Sequence, residues 1–277
     1  MSTLSSMVKQ NLQMTEITIR PVRHAFRGAE ILVGTGADFA SGYSVLDCTE
    51  APLPEPAEYI ELDSTSRSEL HNKETLAPSG WEWQPFRSAI NAMPEAAWHK
   101  AARGLAYVNW KASTRFCGRC GHQNGDKADE LARQCPACGA LSFPRISPAV
   151  LAAIRRDDKL LLARNSNHKT GIWSILAGFV EPGETLEACV QREVLEEVAI
   201  GVNNIRYLGS QPWPFPDQLM VGMTAEWAGG ELQPDGVEIA EAGWFGPDDH
   251  PPLPMHGSLS RRLIEMTFAD IRAGIRH

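Results

Sequence analysis

The alternation of apolar and polar residues predicts a mixed first half of the chain. Residues 1–15 are polar and predicted to fray, and short apolar runs between residues 16 and 76, broken by Gly, Pro and Asp, predict short strands and loops. From Pro94 to Lys111, apolar residues recur at helical spacing behind the proline, which predicts a helix. A segment rich in cysteine follows, from Phe116 to about Phe143.

The second half has clearer periodicity. The apolar runs Ala149–Ile154 and Leu160–Ala163, separated by a charged turn, predict a strand hairpin. The pattern also predicts strands at Trp173–Leu176, Val202–Tyr207 and Met220–Trp227, and helices at Leu186–Val198 and Ser258–Ala273. Strands mixed with two helices predict an α/β sandwich with a partly antiparallel sheet.

Length and composition narrow the class of protein. A chain of 277 residues that is 43% hydrophobic has enough apolar material for two or three folded units. A net charge of −8 argues against a broad nucleic-acid-binding surface. It leaves anionic substrates open, because bound divalent metal reverses the local charge of an acidic site. With no apolar run long enough for a membrane span or a signal peptide, we expect a cytosolic protein.

Four of the six cysteines form two C-x-x-C pairs with fourteen residues between them. Two such turns supply the four thiolates that Zn²⁺ prefers in tetrahedral geometry, so we expect zinc on Cys117, Cys120, Cys135 and Cys138. Two disulfides or a redox dithiol are the alternatives, and the expected reducing compartment disfavours both. Four thiolates leave no position for water, so the zinc is predicted to be structural. A zinc ribbon can bind nucleic acid, but the few basic residues nearby are more typical of a solvated face.

An acidic cluster lies on the predicted helix at Leu186–Val198. Glu193, Glu196 and Glu197 fall within an arc of about 100° on one helical face. Such a cluster is either solvated or bound to hard cations, and charge alone favours the solvated alternative.

The spacing of the surrounding residues favours cation binding. Gly178, Glu184, Arg192-Glu193 and Glu196-Glu197 resemble the Nudix box, with Ala199 where the box usually has Gly. The resemblance implies that Glu193, Glu197 and the backbone carbonyl of Ala177 bind Mg²⁺ or Mn²⁺. It also implies that Glu196 binds a further ion or orients water, and that Glu184 and Arg192 pair structurally. Which glutamate is the base stays open.

A proline-rich segment, SQPWPFP, follows the box at residues 210–216. Its alternating prolines predict a stiff exposed loop whose aromatic rings either stack on a base or pack as a hydrophobic corner. The segment resembles the signature of NADH pyrophosphatases, which also carry a four-cysteine zinc segment. That resemblance adds Glu238 as a metal ligand and implies these substrate-binding residues: Arg87, Phe143, Gln211, Pro212, Trp213, Pro214, Phe215, Pro216, Asp217, Gln218 and Ser260. Gln218 replaces a usual Ser, and Phe143 replaces a usual Tyr.

The resemblance implies an α/β (α+β) fold: a Nudix α/β/α sandwich with a mixed sheet at residues 147–277. A zinc ribbon at 113–146 and an N-terminal α/β domain at 1–112 would precede it. The implied activity is metal-dependent hydrolysis of NAD(H) to AMP and nicotinamide mononucleotide, with removal of NAD caps from RNA as a secondary activity. Such proteins are typically homodimers without membrane partners. Hydrolysis of ADP-ribose or other dinucleotides is one alternative, and a non-catalytic regulator that binds NAD metabolites is another.

Overall fold

The computed structural model describes residues 22–35, 47–63, 66–91, 95–166 and 171–275, which contain three sheets of five, three and six strands. The segment 1–15, predicted to fray, and Pro94 lie outside the described residues. No helix within the described ranges is long and apolar enough to cross a membrane.

The N-terminal unit contains β1 (Val22–Arg27), β2 (Glu30–Gly34), β3 (Glu58–Asp63), β4 (Ser66–Leu70), β5 (Trp81–Pro85), α1 (Phe86–Asn91) and α2 (Glu95–Ser113). Its strands form one sheet in the order β3-β4-β1-β2-β5. The predicted helix is present as α2, and it buries Trp98 and Leu105 against the sheet residues Phe26, Ile31 and Val33. The short apolar runs of the sequence therefore build one layered N-terminal unit.

The cysteine segment forms a small antiparallel sheet. Its strands are β6 (Gly125–Asp126), β7 (Arg133–Gln134) and β8 (Leu141–Ser142). Strands of two residues cannot enclose a hydrophobic core, so the cysteines must hold this unit together.

The third sheet is mixed. Its strands are β9 (Ser147–Arg156), β10 (Lys159–Asn165), β11 (Leu176–Phe179), β12 (Gly201–Trp213), β13 (Gln218–Gly229) and β14 (Ile239–Phe245). The strand order is β12-β13-β9-β10-β14, with β11 also paired to β9. β9 and β13 run parallel, whereas the other pairs are antiparallel. The predicted hairpin is confirmed as β9 and β10.

Two helices cover the opposite faces of this sheet, because the side chains of a strand alternate between faces. Val150, Ala152 and Ile154 of β9 pack toward α3 (Leu186–Val198). The intervening Leu151 and Ala153 pack toward α4 (Leu259–Arg272). The predicted α/β/α sandwich is therefore confirmed.

Two sequence predictions fail locally. The predicted strand at Trp173–Leu176 is wrong, since β11 begins only at Leu176. The ring of Trp173 instead packs edge-on against Phe245, with centroids 5.3 Å apart, so this apolar position reflects ring packing and not a strand. The predicted irregular loop at 210–216 is also wrong in its first half.

Residues 210–213 belong to β12 and pair with β13, with Pro212 opposite Leu219. β12 is an edge strand of the sheet, and an edge strand tolerates a proline whose missing N–H faces away from the neighbouring strand. The turn that follows contains a cis peptide bond between Phe215 and Pro216.

Candidate functional site

The four cysteines converge as their spacing predicts. One sulfur atom from each lies within 4.8 Å of the others, and Cys120 Sγ is 3.4 Å from both Cys135 Sγ and Cys138 Sγ. Gly121 and Gly139, which follow the two pairs, adopt φ values of 76° and 72°, and each donates its N–H to the first cysteine of its pair. These left-handed positions favour glycine and close each turn around its sulfurs. The arrangement fits a four-thiolate zinc site.

The acidic residues of α3 are placed by the apolar face of that helix. The Thr185 side chain caps the N-terminus by accepting from the Ala188 N–H. Val190, Val194 and Val198 are fully buried against the sheet. This docking turns Glu193 and Glu197 toward β11 and the loop before β14, and leaves Glu196 exposed.

Gly178 explains how Glu193 reaches β11. A Cβ atom at Gly178 would lie 1.8 Å from Cδ of Glu193, a distance that no real contact permits. The glycine of the box is therefore required by the carboxylate beside it, and not by a turn.

Arg192 and Glu184 form the predicted ion pair. Arg192 Nε lies 2.6 Å from Glu184 Oε1, and Arg192 Nη2 lies 3.0 Å from Glu184 Oε2. The same guanidinium donates to the Phe179 carbonyl at 2.9 Å. Charge-assisted bidentate pairing of this kind fixes the loop between β11 and α3 against the helix.

Glu197 is the most perturbed acid of the site. Its side chain is buried, and its Oε2 atom has no hydrogen-bond partner within the described part of the chain. Burial, and after it the negative charges of Glu193, Glu238 and Asp235, together raise its pKa to about 8. Burial likewise raises the pKa of Glu193, although Arg192 opposes the shift.

An uncompensated buried carboxylate surrounded by other acids is the condition that a cation relieves. Glu193, Glu197 and Glu238 supply hard oxygen ligands, and the orphaned Oε2 of Glu197 is free to bind, so the residues fit Mg²⁺ or Mn²⁺. Ala177, the expected carbonyl ligand, lies in β11 next to Gly178. Among the described residues, only the cysteines form a group of three or more candidate ligands within 4.8 Å. The carboxylates thus surround the site without converging as the thiols do.

The aromatic rings of the proline-rich segment lie at the boundary with the N-terminal unit. Phe215 packs on Phe86 at 5.9 Å between ring centroids, and edge-on to Trp213 at 5.3 Å. Arg87 places its guanidinium 4.7 Å from the centroid of Phe215 and 5.8 Å from that of Trp213. Sequence reasoning gave no physical basis for Arg87, whereas the structure joins it to this segment by cation–π contacts.

The polar residues of the segment make internal contacts. Gln211 is buried, donates to the Gly257 carbonyl and accepts from the Leu259 N–H, both at 2.8 Å. Asp217 accepts from the Ser147 hydroxyl at 3.0 Å. Gln211 therefore ties β12 to the start of α4, and Asp217 ties the turn to the start of β9.

The other expected substrate residues are distributed around this end of the sheet. Pro214 is buried, Pro212 and Pro216 are exposed, and Gln218 opens β13. Ser260, in the first turn of α4, lies 2.7 Å from the Ser174 hydroxyl. Phe143 is exposed just after β8.

Sequence reasoning missed Asp235. Its carboxylate accepts backbone N–H groups from the residues just after it, including Glu238. The available signal was an Asp-Gly turn three residues before the predicted ligand, a pattern typical of side-chain-to-backbone bonding.

Comparisons with known proteins agree with this geometry. Residues 145–266 match the family described as NUDIX domain, and residues 112–143 match the NADH pyrophosphatase zinc ribbon domain. The crystal structure of a NUDIX hydrolase from Nitrosomonas europaea aligns with a TM-score of 0.51 at 23% identity. It covers 58% of this chain and 94% of that one, and at this identity the likeness shows the fold alone.

Relatives in two bacteria are more similar in sequence. A Chromobacterium violaceum protein named NAD-capped RNA hydrolase NudC is 49% identical over 191 residues, 69% of this chain and 72% of that protein. A Klebsiella pneumoniae protein of the same name is 41% identical over 224 residues, 78% of this chain and 87% of that protein. The chain belongs to the Nudix hydrolase family, in the branch that carries the NADH pyrophosphatase zinc ribbon.

Proposed function

We propose that the protein hydrolyses the pyrophosphate bond of NAD(H), giving AMP and nicotinamide mononucleotide, and removes NAD caps from RNA by cleaving the same bond. The observation that carries the proposal is the buried carboxylate of Glu197, which lies among four other acids on a Nudix scaffold. Its Oε2 atom has no hydrogen-bond partner among the described residues. The names of the zinc-ribbon family and of the two relatives support the choice of substrate.

The catalytic metal is proposed to be Mg²⁺ or Mn²⁺, held by Glu193, Glu197, Glu238 and the carbonyl of Ala177. Once bound, such an ion neutralises the phosphates and activates a water molecule. The oxygen of water bonds to one phosphorus, the bond from that phosphorus to the bridging oxygen breaks, and two monophosphates leave. One carboxylate of Glu193, Glu196 or Glu197 accepts the proton of the water.

The substrate is proposed to lie between the carboxylates and the proline-rich segment. Trp213 and Phe143 retain exposed ring surface on which a base can stack. Arg87 would contact the substrate beside these rings. The remaining residues of this proposed pocket are Gln211, Pro212, Pro214, Phe215, Pro216, Asp217, Gln218 and Ser260.

The assembly and location are part of the same proposal. Phe143, Ile146 and Phe179 are exposed by 52%, 67% and 52%, and large apolar side chains in contact with water favour burial against a second copy in a homodimer. None of the six cysteines forms a disulfide in the structure, which is typical of a reducing cytoplasm. The boundaries 1–112, 113–146 and 147–277 are proposed as the domain limits.

Product analysis by chromatography tests the reaction. Purified protein is given NADH, NAD, ADP-ribose and NAD-capped RNA with Mg²⁺ or Mn²⁺. We expect AMP and reduced nicotinamide mononucleotide to form fastest, and Glu197→Gln to lower kcat by about 10²–10⁴-fold because a ligand and candidate base is lost.

Glu187→Gln is the matched control, since Glu187 is an exposed acid in the first turn of the same helix. It should leave kcat unchanged. Faster cleavage of ADP-ribose than of NADH would instead favour a different dinucleotide, with Phe143 and Gln218 as the residues to revert. Absence of any cleavage with either metal would contradict the enzyme assignment and favour the non-catalytic regulator.

A further inference from the structure

The loop before β14 carries Glu238 and is organised by Asp235. Oδ1 of Asp235 accepts from the N–H groups of Val237, Glu238 and Ile239 at 3.1, 3.2 and 2.8 Å. Three amides converging on one carboxylate form a compact turn, and the positive φ of Gly236, 72°, lets the backbone close it. The direction in which Glu238 leaves the backbone therefore depends on the Asp235 side chain.

The same loop is hydrogen-bonded to the C-terminal end of α3. The Asp235 N–H donates to the carbonyl of Glu197 at 3.0 Å, and the Gln233 N–H donates to the carbonyl of Val198 at 3.0 Å. On the other side, the Ser166 N–H donates to the Glu238 carbonyl at 2.8 Å. Asp235 thus connects one proposed metal ligand, Glu197, to another, Glu238.

Hydrophobic packing contributes little to this turn. Val237 is 75% exposed, and Asp235, Gly236 and Glu238 are exposed as well. The first residue of the segment with a buried side chain is Ile239, where β14 begins. Hydrogen bonds therefore restrain Glu238, and those to Asp235 are the ones that a side-chain substitution can remove.

We propose that Asp235 is a positioning residue that holds Glu238 against Glu193 and Glu197 for metal binding. The inference rests on the proposed function, because it assumes that these glutamates bind a divalent cation. Asp235 acts through the backbone of Glu238, and its oxygens are occupied by amide hydrogens. Residues that orient metal ligands in this way typically contribute 10–100-fold to metal affinity.

Mn²⁺ titration followed by the EPR signal of the free ion tests the role, because it reads metal affinity without turnover. Asp235→Ala removes the acceptor and should weaken Mn²⁺ binding about 10–100-fold. Asp235→Asn keeps an oxygen at the Oδ1 position for the three amides and loses only the second contact of the Glu238 N–H, to Oδ2 at 3.1 Å, so it should stay within about threefold of the wild type. Asp248→Ala, which removes an exposed carboxylate that pairs with Arg272, is the control and should bind as the wild type does.

A double-mutant cycle separates positioning from general disruption. If Asp235 acts through Glu238, Asp235→Ala should cost little further affinity in a Glu238→Gln background. Circular dichroism and Tm confirm that each variant is folded. Wild-type affinity in Asp235→Ala would overturn the proposal. Equal losses in the Ala and Asn variants would overturn it too, because charge and not hydrogen bonding would then matter.

The proposed function fails by a different result. Wild-type protein that binds Mn²⁺ but leaves NAD(H) intact would overturn the substrate assignment. The affinities of the Asp235 variants would still decide the positioning role.

Discussion

Two buried glutamates, one in each of the two larger units, differ in whether positively charged side chains surround their carboxylates. Glu69 in the N-terminal sheet and Glu197 on α3 are 3% and 5% exposed. Arg23 lies 2.7 Å from Oε2 of Glu69, Arg67 lies 2.9 Å from Oε1, and the His71 ring nitrogen lies 3.1 Å from Oε2. Glu197 has acidic neighbours instead, and its Oε2 atom has no hydrogen-bond partner among the described residues.

The pKa values of the two residues move in opposite directions. Burial alone would raise the pKa of Glu69, but hydrogen bonds from His71 and Arg23 and the nearby positive charges hold it at about 2. Burial and the negative charges of Glu193 and Glu238 act in the same direction on Glu197 and raise its pKa to about 8. The carboxylate of Glu69 is neutralised by its neighbours and has a structural role. The carboxylate of Glu197 is not, which is typical of a cation-binding site.

The largest effect on this contrast is expected from Glu69→Gln. It removes the buried negative charge that both Arg23 and Arg67 face, so we expect a loss of about 3 kcal/mol in the free energy of unfolding at pH 7. This is the lower end of the usual range, because both arginines reach solvent. Urea denaturation followed by circular dichroism measures the loss.

The pH dependence of the same variant provides a second test. Because the folded pKa of Glu69 lies below its ordinary value of 4.5, its stabilisation is complete above pH 4.5 and is lost as pH falls toward 2. That component should be absent in Glu69→Gln. Glu61→Gln, a half-exposed acid 3.8 Å from Arg67, is the control and should shift stability by less than about 1 kcal/mol. Equal effects of the two substitutions would remove the distinction between a buried and an exposed ion pair.

In β11, next to the carboxylate of Glu193 on α3, Gly178→Ala should change activity and not stability. The added Cβ would displace the carboxylate of Glu193, so we expect a loss of about 10²-fold in kcat/KM from misplacement of the ligand. Steady-state kinetics with NADH at saturating Mn²⁺ measure it. In the control Gly201→Ala, the new Cβ meets only a carbonyl oxygen 3.9 Å away, and activity should be retained. Unchanged activity in Gly178→Ala would show that the position of Glu193 is not critical.

The smallest effect is expected at Ala199, the C-cap residue of α3. It adopts φ 60° and ψ 25°, a left-handed conformation that costs a non-glycine residue about 1–2 kcal/mol. After the entropy cost of glycine, Ala199→Gly should raise stability by about 0.5–1 kcal/mol and leave kcat unchanged.

Ala273, which ends α4 at φ −80°, is the matched control, and Ala273→Gly should lower stability slightly. Both changes are read from Tm. A loss of stability in Ala199→Gly would mean that the left-handed conformation is not a strain on the folded state.

The regular helices and strands, the two C-x-x-C turns and the Nudix box could be predicted because each depends on the spacing of residues close together in sequence. The helix limits Leu186–Val198 agree with the structure, and the four thiols converge as their two turns require. Trp173 was misassigned to a strand because nothing in the local sequence shows that its ring packs against Phe245. Residues 210–213 were misassigned to a loop because nothing in the local sequence shows that their strand lies at the edge of a sheet, where proline is accepted. Asp235 was not recognised, although its Asp-Gly turn was a local signal, because its link to Glu197 joins residues far apart in sequence. The contacts of Arg87 were not recognised because its aromatic partners are equally distant.

The sequence by itself determined which ligands this protein possesses: two pairs of thiols with two residues between the members of each pair, and an acidic face on one amphipathic helix. Short-range geometry is enough for that, since turns and helices fix the relative positions of residues two to four apart. Only the tertiary structure decided which acid is buried without a counter-charge. Burial and charge compensation depend on strands and loops far apart in sequence, so Glu69 meets two arginines while Glu197 meets only other acids.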